Sequence, residues 1–146
     1  MKNTKILFAT ILVLSFAAIT SCKEDTTAPD PKQQVIDALS KAWTVNSVTL
    51  DNQDVSADWN SFTLTFDNTQ AYITTSPSYK STLIWPLTGS YTFPNIENPR
   101  VILRNDGVLI FVSNLTDNSL QLIFSITNTG GRTEGLTGEW IFDMGS

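Results

Sequence analysis

From Trp43 onward the apolar positions recur every second residue. Phe62, Leu64 and Phe66 are separated by Thr63 and Thr65, and Leu120, Leu122, Phe124 and Ile126 run against Gln121 and Ser125. Such a period, built from β-branched and aromatic residues among Thr, Ser and Asn, marks strands with one wet face. Strands are expected over 43–50, 61–66, 70–75, 82–87, 89–94, 100–104, 108–114, 119–127 and 138–143. In the first of them Trp43 and Val45 have the opposite parity to Val48 and Leu50, which calls for a bulge near Asn46-Ser47. Asn105-Asp106-Gly107 between two apolar runs is the strongest hairpin signal. Only Gln33 to Ala42 has helical spacing, through Val35, Ile36, Leu39 and Ala42, with Pro31 ahead of it.

Short links at 67–69, 88 and 105–107 alternate with longer ones at 51–60, 76–81, 95–99 and 115–118. That alternation predicts an all-β fold, an antiparallel up-and-down β-barrel of eight to nine strands with one short N-terminal helix. Tight turns would gather at one end and larger loops at the other. A β-sandwich is the alternative, but it needs long crossings between non-neighbours. Val101-Ile102-Leu103 and Val108 to Val112 are apolar on both faces. One face fills the interior, and the Val35/Ile36/Leu39 stripe is the candidate cover for the other. Phe62, Phe66, Phe93, Phe111, Phe124 and Trp140 are the expected interior filling.

The first segment changes the reading of the rest. Lys2 and Lys5 precede an apolar run, Ile6 to Ala18, too short for a relaxed membrane span, so 1–21 is expected to be a signal peptide. Ile19-Thr20-Ser21-Cys22 resembles the lipobox of bacterial lipoproteins, which implies cleavage before Cys22 and lipidation of its sulfur. Multiple acyl chains on one residue make a durable anchor. Lys23-Glu24-Asp25 resembles the export signal of Bacteroidota lipoproteins, implying an outer-membrane, surface-exposed location; the periplasmic face is the alternative. Asp25-Thr26-Thr27 resembles the O-glycosylation site of the same phylum. Residues 22–34 are expected to form a tether and 35–146 the domain. Removing the two signal lysines takes the formal charge from -5 to -7.

The order of elements resembles a lipocalin-like domain found in Bacteroidota outer-membrane lipoproteins. The likeness rests on the helix leading into Lys41-Ala42-Trp43-Thr44-Val45, on Phe62 to Phe66 and on Gly89-Ser90-Tyr91-Thr92-Phe93. It extends to Gly131-Arg132 and Gly138-Glu139-Trp140-Ile141-Phe142. It implies a barrel floor closed by Trp43, with Arg132 stacked on it, although Lys41 stands where the family has Gly. It also implies a scaffold for ligand binding or interaction.

Composition narrows the chemistry. With no His and one Cys, the commonest general base, a disulfide framework and a Cys-rich zinc site are all excluded. The acidic balance disfavours nucleic acid. Asp51, Asp54 and Asp58 could offer oxygens to Ca²⁺, but their order lacks the glycine and closing Glu of an EF-hand loop, so a solvated loop is expected and no metal or cofactor is assigned. No activated nucleophile or facing carboxylate pair stands out, so the chain reads as non-enzymatic. The aromatics are the better lead. Trp59 and Tyr79 in rim loops, with Trp85 and Tyr91 in strands, are the candidate ligand or interface residues for a small apolar or glycan ligand. The second reading is an accessory subunit of an outer-membrane complex, with a filled barrel that only presents surface to a protein partner.

Overall fold

The alternating segments close into a ring. The computed structural model describes residues 28–75, 78–127 and 135–146. In chain order it comprises helix α1 (Pro31–Leu39), β1 (Ala42–Leu50), β2 (Gln53–Asp54), a 3-10 turn (Ser56–Trp59), β3 (Thr63–Phe66) and β4 (Ala71–Thr75). Helix α2 (Tyr79–Ile84), β5 (Thr88–Thr92), β6 (Val101–Arg104), β7 (Leu109–Leu115), β8 (Ser119–Ile126) and β9 (Gly138–Gly145) follow. All pairings are antiparallel, and β1 pairs with both β3 and β9. The result is an eight-stranded up-and-down barrel, with β2 a short addition on the end of β1 through Thr49↔Asp54 and Leu50↔Gln53. The parity conflict in β1 resolves as expected, by a register shift against β9 between Val45 and Ser47. Arg104 and Leu109 flank the expected Asn105-Asp106-Gly107 hairpin, whose Gly107 takes φ +90°.

One face of each strand fills the barrel. Trp43, Leu64, Tyr72, Tyr91, Ile102, Ile110, Leu122 and Phe142 are each at most 1% exposed. Burial of a large apolar side chain is worth roughly 1.5–3 kcal/mol. The core draws on nothing before Val35 among the described residues, and the sheet on nothing before Ala42. Among the described residues the first element is helix α1. The interior is apolar, and Thr63 and Thr65 lie on the outer face of β3. Among the described residues, no helix is long and apolar enough to cross a membrane.

Helices sit at both ends. At the end where β1 starts, the Asp30 side chain accepts from the Lys32 N–H at 2.9 Å and Pro31 opens α1. Ile36 and Leu39 are buried, and Trp43 Nε1 donates to the Leu39 carbonyl at 2.9 Å. The helix thus begins two residues before Gln33 and ends at Leu39, taking in part of the stretch expected as tether. It caps the barrel and does not cover the outer face of β6 and β7, where Leu109 and Phe111 stay 57% and 47% exposed. Phe111 points outward because Ile110 and Val112 hold the inward parity of β7.

At the opposite end, 82–87 is not a strand. Ser78 and Ser81 form a reciprocal capping box that starts α2, and Ser81 and Ile84 turn inward three residues apart. The apolar run Leu83-Ile84-Trp85 looked strand-like, but the cap sets the backbone and Pro86 lacks a ladder donor. The segregation of loops is incomplete. Residues 51–62 and 78–87 lie at this end, as do the close of β8 and the start of β9, but the long 93–100 connection lies at the α1 end.

Candidate functional site

The aromatic candidates largely belong to the core. Trp59 is carried by the 3-10 turn, which Ser56 ties back to β1: its Oγ accepts from the Val48 N–H at 2.9 Å. The indole is 3% exposed and meets Phe142, Phe62 and Trp140 edge-on at 4.6, 5.0 and 5.6 Å. It plugs the end of the barrel and is not an exposed rim residue. Trp85 follows α2 as its C-cap and is fully buried, 5.6 Å from both Tyr72 and Phe124. Tyr91 is buried between Phe66 and Phe93, and burial pushes its phenol up to about 12. Tyr79 alone of the four is exposed, and no second aromatic stands beside it in a ring contact among the described residues. A sugar-stacking platform is therefore not assembled from these four.

Trp43 lies buried at the α1 end, with the Lys41 ammonium 5.3 Å over its ring. Arg132 falls outside the described residues, as do Cys22, Lys23, Glu24, Asp25 and Thr26. The stacked arginine at the opposite end is Arg104. Its guanidinium lies 4.7 Å over Trp85 and 6.0 Å over Phe124. It donates from Nη1 to the Ile84 carbonyl at 2.8 Å, from Nε to Asp106 Oδ1 at 3.0 Å and from Nη2 to Asp106 Oδ2. Burial acts to raise the Asp106 carboxyl, but Arg104's hydrogen bond and charge outweigh it and hold the group below the ordinary carboxylate value. The sequence reading missed this residue. Its signal was an Arg at inward parity at the end of Val101-Ile102-Leu103, two residues before an Asp in a turn.

The loop acids serve the fold. Asp51 accepts from the Glu139 N–H at 2.9 Å, Asp54 accepts from the Ser56 N–H at 2.9 Å, and Asp58 pairs with Lys80 at 3.0 Å. Among the described residues no three potential ligands converge on a metal position.

What remains open is the outer face of β6, β7 and β8. Val101 pairs with Phe111 and Phe111 with Ile123, so three outward side chains form a row across the strands. With Leu83, Val108 and Leu109 they line a groove of about 640 Å³ that also takes in Arg104, Asp106, Ser125 and Thr127. That volume falls within the roughly 300–1,000 Å³ of small-molecule sites. The groove combines apolar side chains with the partly exposed Asp106 carboxylate and the hydroxyls of Ser125 and Thr127. Tyr72 OH, Trp85 Nε1 and Tyr91 OH are buried and find no hydrogen-bond partner among the described residues.

Comparison of the chain with protein-family models, with curated proteins and with solved structures gave no match.

Proposed function

We propose that the chain is a lipid-anchored envelope lipoprotein whose lipocalin-like barrel is a non-catalytic binding module, taking a small apolar ligand on its outer surface and not inside. The observation that carries the reading is the contrast between a packed interior and the groove over β6–β8, where Leu109 and Phe111 are exposed. Trp59, Trp85 and Phe142 occupy the space that an open barrel would leave for a ligand. The lipobox-like segment ending at Cys22 supports the anchor, and Lys23-Glu24-Asp25 supports the outer membrane. The filled interior equally suits the second reading, an accessory subunit that presents this face to an outer-membrane partner protein.

The neutral dye Nile red separates the two. The chain from Lys23 onward should bind it saturably, with one dye per barrel and a blue-shifted emission. Phe111→Asp lies on the exposed face and should weaken that binding about tenfold while leaving the urea midpoint within experimental error. Absence of saturable binding overturns the ligand-site reading.

A further inference from the structure

We propose that the groove is selective for uncharged single-chain amphiphiles, the hydrocarbon lying across Val101, Phe111 and Ile123 and a hydroxyl head donating a hydrogen bond to Asp106. This rests on the reading of the groove as a ligand site and adds the chemical class of the ligand.

Size decides first between a small molecule and a second copy of the chain. A stable protein interface buries about 800 Å² on each partner. Here only Leu109 and Phe111 are strongly exposed, while Val101 and Ile123 are half-buried. Two exposed side chains and a half-buried row fall well short of a dimer face. Together with the ends of β6 and β8 these residues line an open groove of about 640 Å³. Strands lie about 4.8 Å apart, so the row from β6 to β8 runs about 10 Å, a fair length for a short alkyl chain.

The Asp106 side of the groove decides the head group. The Arg104 side chain is 1% exposed and already donates from Nε, Nη1 and Nη2. The Asp106 side chain is 36% exposed, so the charged group that meets an incoming ligand is a carboxylate, an acceptor, beside the neutral hydroxyls of Ser125 and Thr127. A fatty-acid carboxylate would approach that group with like charge and find the guanidinium buried. An ammonium head would lose its hydration to a carboxylate whose charge Arg104 already balances, a poor exchange in a partly dry site. A hydroxyl needs only one free lone pair. It gives up little hydration and leaves the Arg104–Asp106 pair intact.

Three ligands with the same tail and different heads test this on the chain from Lys23 onward, by chemical-shift titration of backbone amides at pH 7. 1-Decanol should saturate, shifting Phe111 and Ile123, with at least fivefold higher affinity than decanoate or decylammonium. Phe111→Ser should lower the decanol affinity at least fivefold. Equal affinity for all three heads overturns the head-group selectivity and leaves the groove as an apolar site. No saturable binding of any of the three, nor of Nile red, overturns both readings. Unchanged decanol affinity in Phe111→Ser places the binding elsewhere and overturns the proposal. So does a dimer in sedimentation that Phe111→Ser dissolves, because it gives the face to a second copy.

Discussion

At Gly89 a missing methyl group makes room for a ring. A Cβ built there would meet Tyr72, with the ring's Cζ at 2.5 Å, and Tyr72 is held by Phe66 and Trp85. Gly89→Ala should therefore lower the unfolding free energy by about 1–3 kcal/mol in urea titrations. Tyr72→Phe removes the hydroxyl that the methyl would strike first, so the double variant should be more stable than the sum of the two losses predicts. Additive losses would show that the contact is relieved by another route. At this scale the sequence was legible where parity alone decides, as for Phe62, Leu64 and Phe124. It was not legible for Trp59 and Arg104. Whether a loop aromatic faces water or folds over a barrel end depends on the turn that carries it. A charged residue at inward parity reads as an error in the pattern until Asp106 and the Ile84 carbonyl are seen to satisfy it.

Strands were easier to read than helices because a period of two survives noise over short lengths. β1 shows this, its bulge being visible as a parity conflict before any coordinates. Helix α2 shows the converse. Its six residues are too few for a helical stripe to emerge, and a serine capping box outweighed an apolar run of strand-like composition. Helix α1 was recognised, but its placement was not, because an amphipathic stripe says what it buries and not where. Leu39 tests the observed placement, being fully buried against the barrel end with its carbonyl bound by Trp43. Leu39→Ala should cost about 2–5 kcal/mol and speed amide exchange at Trp43 Nε1. An unchanged midpoint would mean that α1 only rests on the end of the barrel.

For the whole molecule, closure was legible and the working face was not. Alternating links gave the up-and-down order. The two-faced apolar runs around the Asn105 hairpin flagged a surface in need of a cover, yet α1 went to the barrel end and left that surface open. Helix α1 marks one end of the barrel, whereas α2, Arg104 and the Asp106 side of the groove belong to the other end. A chain held by lipid at Cys22, ahead of α1, would thus turn the Asp106 side of its groove away from the bilayer. Cys22→Ala should move the protein from the membrane to the soluble fraction on cell fractionation. Retention on the membrane would refute the lipid anchor.

The pairing of β1 with β9 has one more consequence. A sheet with free margins invites another backbone to add on, the route by which crowded proteins form fibrils or capture extended peptides. Among the described residues every long strand is paired on both sides, and the margin left is β2, two residues long and carrying Asp54. Neighbouring copies crowded on one surface would have no template for strand exchange. A molecule that meets these strands would touch them through side chains.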